Sequence, residues 1–446
     1  MSISIESAHS SSEQALIESS NLSSEQAQVE SATLSIEQAQ QAILNVLPKQ
    51  ELALARLAFL QQEDRLPVVT VVGKYNHGKS RLLNELIGEA AFTVADKRET
   101  IDLNRHHHEG VTWLDAPGLD ADVAEGDDRH AERALWLEAD IRLMVHAAKE
   151  GELDASETAL MRDLQQDEQL MQRRTLFVLT QIDQVASDES LQKILKELAA
   201  QFAEQAIYPV SSVRHRKGIE QDKPLFVEKS GFVQLRQALA QVLAQVPQAR
   251  HHEKSQRLAQ LSQALTQHDQ ACQRQLQHLQ ERIQLRNQGF TEELKAMLIK
   301  ADEDLQQIYI APAIDHSMDV DDISQTLQWT RGKQERSRVH IAYSRACIQI
   351  RTVLAKYGNL NLPKAQQVES KALSTVMVAV MGVSLKNRHD LQRLFSVEGR
   401  AKLFADFYHY YECSDDYQAL QKAIATAQVA VQASQKAIAA LAVFKV

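Results

Sequence analysis

The chain is poor in the features that mark secreted, fibrous or membrane-embedded proteins. Its 446 residues hold three cysteines, Cys272, Cys347 and Cys413, far apart and without CxxC spacing. That pattern argues against a disulfide framework and against a thiolate metal centre, and suits a reducing compartment. Positive charge is in deficit, with 49 Lys and Arg against 59 Asp and Glu and a formal charge of -10. A surface that coats nucleic acid needs clustered cations to displace counterions, so DNA is not an expected partner. A local basic spot such as Arg214-His215-Arg216-Lys217 reads as a solvated loop beside a nucleotide site. Long apolar runs are missing too. The longest uncharged stretch, Ala372 to Leu385 (ALSTVMVAVMGVSL), is shorter than the roughly 20 residues a membrane-spanning helix needs. The opening residues, MSISIESAHS, carry neither a basic region nor an apolar one, so no secretory signal is expected. The expected location is the cytoplasm, with a peripheral contact at the inner membrane face left open.

What is present is ordinary globular material: 44% hydrophobic and 24% charged residues, in a chain long enough for two or three cores. Residues 6–40 carry a twelve-residue repeat, with SSEQA at Ser11 and Ser23 and SIEQA at Ser35, and most of it falls in a first segment, residues 1–35. Its copies hold few large apolar groups, so disorder or a frayed helix is expected there. Residues 36–65 turn helical in pattern, with a break at Pro48, and are expected to join a C-terminal helical bundle. Between 66 and 247 short branched apolar runs alternate with amphipathic segments, which predicts a mainly parallel sheet covered by helices on both faces. The expected strands are Val68 to Val72, Ile101 to His106, Val111 to Leu114, Ile141 to Val145, Leu176 to Leu179 and Ile207 to Val210. Expected helices are Lys79 to Ile87, His130 to Glu138, Ala155 to Leu164, Leu191 to Gln205 and Gly231 to Val246, the last closed by Pro247. Residues 248–446 read as all-helical, with breaks at Pro312, Gly358 to Pro363, Gly382 and Ser414 to Asp416.

The chemistry concentrates in the α/β part. The strand VVTVV runs into GKYNHGKS and then into the helical RLLNELIG, the context that makes a phosphate-binding loop credible. Gly73 and Gly78 allow successive N–H groups to point inward at a helix N-terminus, making an anion nest. Lys79 is placed to reach the β- and γ-phosphates, and the Ser80 hydroxyl to ligate Mg2+. Lys74, Tyr75, Asn76, His77 and Arg81 complete the nucleotide-binding run, with His77 expected to face solvent. Thr100 is the candidate sensor of Mg2+ and γ-phosphate, and Thr93 its competitor. In DAPG, Asp115 ends an apolar strand and can hold a Mg2+-bound water, while the Gly118 N–H faces the γ-phosphate. In TQID, Thr180, Gln181 and Asp183 follow the strand LFVL, and Asp183 can accept from the guanine N1–H and exocyclic amine. Ser211 and Ser212 follow the next strand and are candidates to line the base with backbone N–H groups.

Together these segments resemble the GTPase superfamily over roughly residues 66 to 247, and VVGKYNHGKSRLLNELIG with DAPGLD looks like the branch of Era-like and bacterial dynamin-like GTPases. The resemblance implies GTP and GDP as ligands and Mg2+-dependent hydrolysis, slow unless the protein assembles. It also implies K+ as a second cofactor, since in several relatives an asparagine at the place of Asn76 binds K+; a hydrogen bond within the loop is the other reading of Asn76. Two departures stand out. Gln181 replaces the lysine of the N/T-K-x-D pattern, which implies modest guanine affinity, and Leu119 follows DxxG where small signalling GTPases carry a glutamine. Catalysis is therefore expected to rest on Lys79, Asn76, Thr100 and Gly118. Long flanking helices favour the dynamin-like side, with dimerisation across the nucleotide face, a helical stalk, and a lipid-contacting tip at 372–385 as the alternative to a buried core helix. His106-His107-His108 invites a metal reading, but neighbours on a strand face opposite ways and cannot all bind one ion.

Overall fold

The computed structural model describes residues 34–62, 64–93, 104–115, 133–202, 205–309, 314–320, 329–358 and 387–445. The N-terminal repeat before residue 34 and the 372–385 stretch lie outside these residues. Two compact units emerge: the described residues through His268 together with those from Ala433 onward, and Asp269–Gln432.

The first unit is built on six strands, β1 (Val68–Val72), β2 (Asn104–His108), β3 (Val111–Asp115), β4 (Ile141–Ala147), β5 (Thr175–Thr180) and β6 (Ile207–Pro209), in the order β2-β3-β1-β4-β5-β6. All neighbours run parallel except β2, which pairs antiparallel with β3. The β2–β3 hairpin closes through Glu109 and Gly110, both at positive φ (47° and 74°), as a two-residue hairpin turn requires. β1, β3, β4 and β5 are buried along their whole length, which is why they read as mostly apolar runs rather than alternating ones, interrupted by polar residues such as Thr70, Thr112, Arg142 and His146.

Alternate residues still face different layers. Val69, Val71, Leu143, Val145 and Val178 pack with Leu82 and Leu83 of α3 (Lys79–Ile87), while Val72, Met144, Phe177 and Leu179 pack with Leu164 of α4 (Ala155–Met171) and Leu198 of α5 (Asp188–Gln201). A further cluster joins α1 (Ile36–Leu44) and α2 (Glu51–Leu60) to Leu261, Leu265, Ala437, Ala440 and Phe444.

Several expectations need correction; the expected helix Leu191 to Gln205, for one, runs Asp188–Gln201. Pro247 does not end its helix: a single helix runs Phe232–Tyr309 with Pro247 inside it. Proline deprives one carbonyl of its N–H partner at a cost of about 3 kcal/mol, but Val246 is buried on one side of it and Arg250 and Glu253 are pinned by ion pairs on the other. The basic spot at 214–217 is not a loop. It forms part of α6 (Ser212–Glu220), capped by Ser211 and followed by α7 (Pro224–Glu228), so the long Phe232–Tyr309 helix is α8. Finally, α4 extends to Met171, seven residues beyond Leu164.

The second unit is helical among its described residues. The α8 residues Phe290, Leu294 and Leu298 pack with Val339, Ile350 and Leu354 of α9 (Arg331–Lys356), Leu391 of α10 (Arg388–Leu394), and Leu403, Phe407 and Tyr411 of α11 (Val397–Glu412). Phe290 and Tyr411 stack with ring centroids 4.3 Å apart. Chain breaks at Gly358 and before α12 (Asp415–Ala440) fall at expected places; those at Pro312 and Gly382 lie outside the described residues. No helix among the described residues is long and apolar enough to cross a membrane.

Candidate functional site

The sheet register assembles the phosphate end. Val71 of β1 pairs with Asp115 of β3, which brings the carboxylate level with the loop leaving β1. Gly73 opens that loop at φ 154°, and a Cβ there would lie 2.2 Å from the Val145 carbonyl oxygen, so only glycine passes so close to β4. Asn76 (φ 60°) and Gly78 (φ 82°) then turn the chain into α3. Lys79 is buried, its Nζ donating to the Gly73 and Lys74 carbonyls at 3.0 and 2.9 Å. The Ser80 hydroxyl donates to Asp115 Oδ2 at 2.5 Å. Burial pushes the Asp115 carboxyl upward, opposed by Ser80 and Lys79. A hydroxyl and a buried carboxylate side by side form a hard-oxygen pair suited to Mg2+.

TQID grips the same loop from β5. Thr180 donates its hydroxyl to the His77 carbonyl at 2.6 Å and lies 3.2 Å from the His146 carbonyl. Gln181, at φ 60°, donates Nε2 to the Asn76 carbonyl at 2.7 Å. Gln181 thus ties the end of β5 to the phosphate loop. Asp183 accepts from the Ser211 hydroxyl at 2.5 Å, which orients its carboxylate. Ser211 does not offer its backbone N–H to a base as expected, because that N–H donates to the Ser230 carbonyl at 2.9 Å while the side chain caps α6. Ser212 is the first residue of α6. From α6, His215 and Arg216 bind the Glu85 carboxylate of α3 at 2.7 and 3.0 Å.

His77 is not solvent-facing. Its side chain is buried, Nδ1 lying 3.2 Å from the Val145 carbonyl and 3.6 Å from Glu157, and burial lowers its pKa. The signal for this was His146 inside an apolar strand: its Nδ1 meets Glu157 at 3.0 Å and its Nε2 the Gly151 carbonyl at 3.1 Å. Burial pushes Glu157 up, but His146 and a hydrogen bond from the Asp154 backbone N–H hold it below the usual range. Lys74 pairs with Asp154, the N-cap of α4, and lies 3.6 Å from Glu157. Tyr75 is half-buried and Arg81 exposed. Thr100 and Gly118 lie outside the described residues.

The opposite end of the sheet carries a buried ion network that the sequence reading missed. Asp140, just before β4, accepts from the Val68 N–H and pairs with Arg56 of α2 (3.1 Å), Arg65 (3.0 Å) and Arg250 of α8 (2.6 Å). Arg56 also bridges to Glu253 of α8 at 2.7 Å, and Arg257 joins Glu253 at 2.8 Å. Asp167 of α4 binds Arg142 of β4 at 2.6 Å and Arg173 at 2.9 Å. Burial lowers Arg65 and Arg142 to about 10. An arginine in the middle of IRLMVHA and another in ELALARLAFL were the available signals.

Residues 68–202 match the family model described as 50S ribosome-binding GTPase. An uncharacterized protein of Acinetobacter baylyi is 48% identical over 373 residues, 83% of this chain and 89% of that protein. GTPase Era of Bordetella avium is 28% identical over 162 residues, covering 35% of this chain and 53% of Era, so the chain spans about half the length of that relative. Among solved structures, a variant of Era from Aquifex aeolicus bound to GDP·AlF4− is similar at 23% identity and a TM-score of 0.29, covering 36% of this chain and 55% of that one.

Proposed function

The chain belongs to one family with the Acinetobacter baylyi protein and carries a P-loop GTPase domain, and we propose that it is a Mg2+-dependent GTP hydrolase whose nucleotide state moves its helical segments. Gly73, Gly78 and Lys79 would hold the phosphates, Ser80 and Asp115 the Mg2+, and Thr180, Gln181 and Asp183 the guanine side, with Asp115 holding a Mg2+-bound water. Bound Mg2+ would neutralise charge developing on the β- and γ-phosphates. Thr100 and Gly118 keep their assigned parts as sensors of the γ-phosphate. Turnover is slow until two nucleotide faces meet, because Leu119 offers no side chain to orient water; K+ held by Asn76 would supply the missing positive charge. Assembly of this kind, at an inner membrane surface, is the dynamin-like reading.

The observation that carries the mechanical part is α4. Its first turn binds the phosphate loop through Asp154 and Glu157 to Lys74, and its last turns reach, through Asp167, the arginines beside α2 and α8. One rigid helix therefore touches both the nucleotide end and the network that holds the flanking helices. The test is GTP turnover and particle size measured together, in GDP, GTP and a transition-state mimic, over a range of protein concentration and with or without liposomes. Specific activity rising with concentration supports the proposal. A barely detectable, concentration-independent rate sinks it and favours a nucleotide-gated module that docks on a protein or ribonucleoprotein, a reading that the ribosome-binding description of the matched family model supports.

A further inference from the structure

β2 is an edge strand with an unusual sequence, Asn-Arg-His-His-His, and the pleat sorts its histidines. His107 turns to one face, where its Nδ1 meets the Thr112 hydroxyl at 2.9 Å. His106 and His108 share the other face, their rings stacked with centroids 6.3 Å apart. The third member arrives from α3. Gly88 ends that helix in the left-handed region (φ 90°), and the turn delivers Glu89 to β2. Glu89 Oε1 lies 2.7 Å from His106 Nε2 and 3.6 Å from His108 Nδ1, and the three ligand atoms all fall within 4.8 Å of one another. Glu109 lies on the far side of the second ring, 3.9 Å from His108 Nε2, where a carboxylate favours the tautomer that leaves Nδ1 free to ligate. Phe92 stands edge-on to His106 at 6.2 Å and limits its rotation.

We propose that Glu89, His106 and His108 form a surface site for a divalent transition-metal ion of the Zn2+ class, with solvent in the remaining position. Two imidazoles and one carboxylate select Zn2+, Co2+ or Ni2+ over Mg2+, which prefers oxygen donors. The site is thus chemically separate from the Ser80 and Asp115 pair. A second trio, His77, His146 and Glu157, has comparable spacing, but it is buried and internally satisfied: both His146 ring nitrogens face oxygen acceptors and Lys74 lies 3.6 Å from Glu157.

The experiment is calorimetric titration of the full chain, free of any polyhistidine tag, with ZnCl2 in buffer containing excess Mg2+, paired with Co2+ absorption spectra. One equivalent of Zn2+ and the visible bands of four- or five-coordinate Co2+ are expected for the native chain. H106A and H108A should each weaken binding by on the order of tenfold or more and remove the Co2+ bands, while H107A leaves both unchanged. Thermal melting of each variant in metal-free buffer checks the fold, and H108N substitutes for H108A if the latter melts early. Absence of a stoichiometric site in the native chain overturns the assignment. So does Zn2+ binding that survives H106A and H108A, or binding that is lost in H146A while persisting in both surface variants.

Discussion

Glu253 is the residue whose loss the ion network should feel most sharply. Its carboxylate is fully buried in α8 and contacts Arg56 at 2.7 Å, Arg257 at 2.8 Å and Arg173 at 3.5 Å. Burial pushes its pKa up, yet Arg173 and Arg56 hold it down at about 2. The gap from the ordinary glutamate value corresponds to about 3 kcal/mol favouring the folded, ionised form. Glu253→Gln keeps the shape and removes the charge, leaving three arginines facing a neutral amide, and a broken buried pair of this kind costs about 3–5 kcal/mol. Urea unfolding followed by tryptophan fluorescence is the assay, because Trp113 and Trp136 belong to the sheet unit and the Trp136 ring lies 5.9 Å from the Arg173 guanidinium. The sign follows from a depressed carboxylate: its contribution is whole above the ordinary glutamate pKa and is lost as pH falls towards about 2. The native and E253Q chains should differ by about 3 kcal/mol at neutral pH and converge on acidification. A neutral-pH difference below about 1 kcal/mol, or one that does not shrink as acid is added, refutes the argument.

Gln181→Ala removes the 2.7 Å bond to the Asn76 carbonyl and should weaken GDP binding by about tenfold, as one hydrogen bond of roughly 1.4 kcal/mol implies; unchanged affinity in a nucleotide titration would show that the loop holds itself. Asp183→Asn replaces an acceptor with an amide that can donate, so competition titrations should find preference moving from guanine to xanthine nucleotides. Asn76→Ala should abolish any stimulation of GTPase rate by K+ over Na+, and equal rates in the two ions for the native chain would remove Asn76 from catalysis.

Much of the G domain could be read from sequence because its signals are local. β1 and α3 fall at the expected residues, since VVTVV has only a sheet interior to occupy and Gly78 and Gly88 mark both ends of the helix. Helix ends set by tertiary contacts were harder. Nothing in QVLAQVPQARHHEK announces that burial of Val246 and Glu253 outweighs Pro247. The α6–α7 segment was hidden because its hydrophobic pattern is weak; what marks it is the cap from Ser211 and the close approach of Gly218, where a Cβ would lie 2.7 Å from Val227. His77 was misjudged for a different reason. A phosphate loop is exposed to its ligand, but its outer turn packs on β4, and the partners that bury His77 come from residues about 70 and 80 positions away.

The two ends of β4 explain why charge, and not only apolar packing, joins this sheet to its helices. Apolar burial stabilises without direction, so a helix held by it alone can slide or rotate at little cost. Buried ion pairs add little net stability but penalise every arrangement that leaves a charge alone. At the nucleotide end, Lys74 meets Asp154 and His146 meets Glu157; at the other, Asp167 meets Arg142 and Arg173, and Asp140 and Glu253 fix α2 and α8. Between them α4 spans 17 residues, a rod of about 25 Å. A parallel sheet buried on both faces cannot shift register without turning its side chains to the wrong layers. On the proposed mechanism, a displacement of the phosphate loop would pass more readily to α4 than along the strands, and α4 meets the network that holds the flanking helices through directional contacts. That is where nucleotide state would become helix movement, with the arginine network at the end of the sheet opposite the phosphate loop.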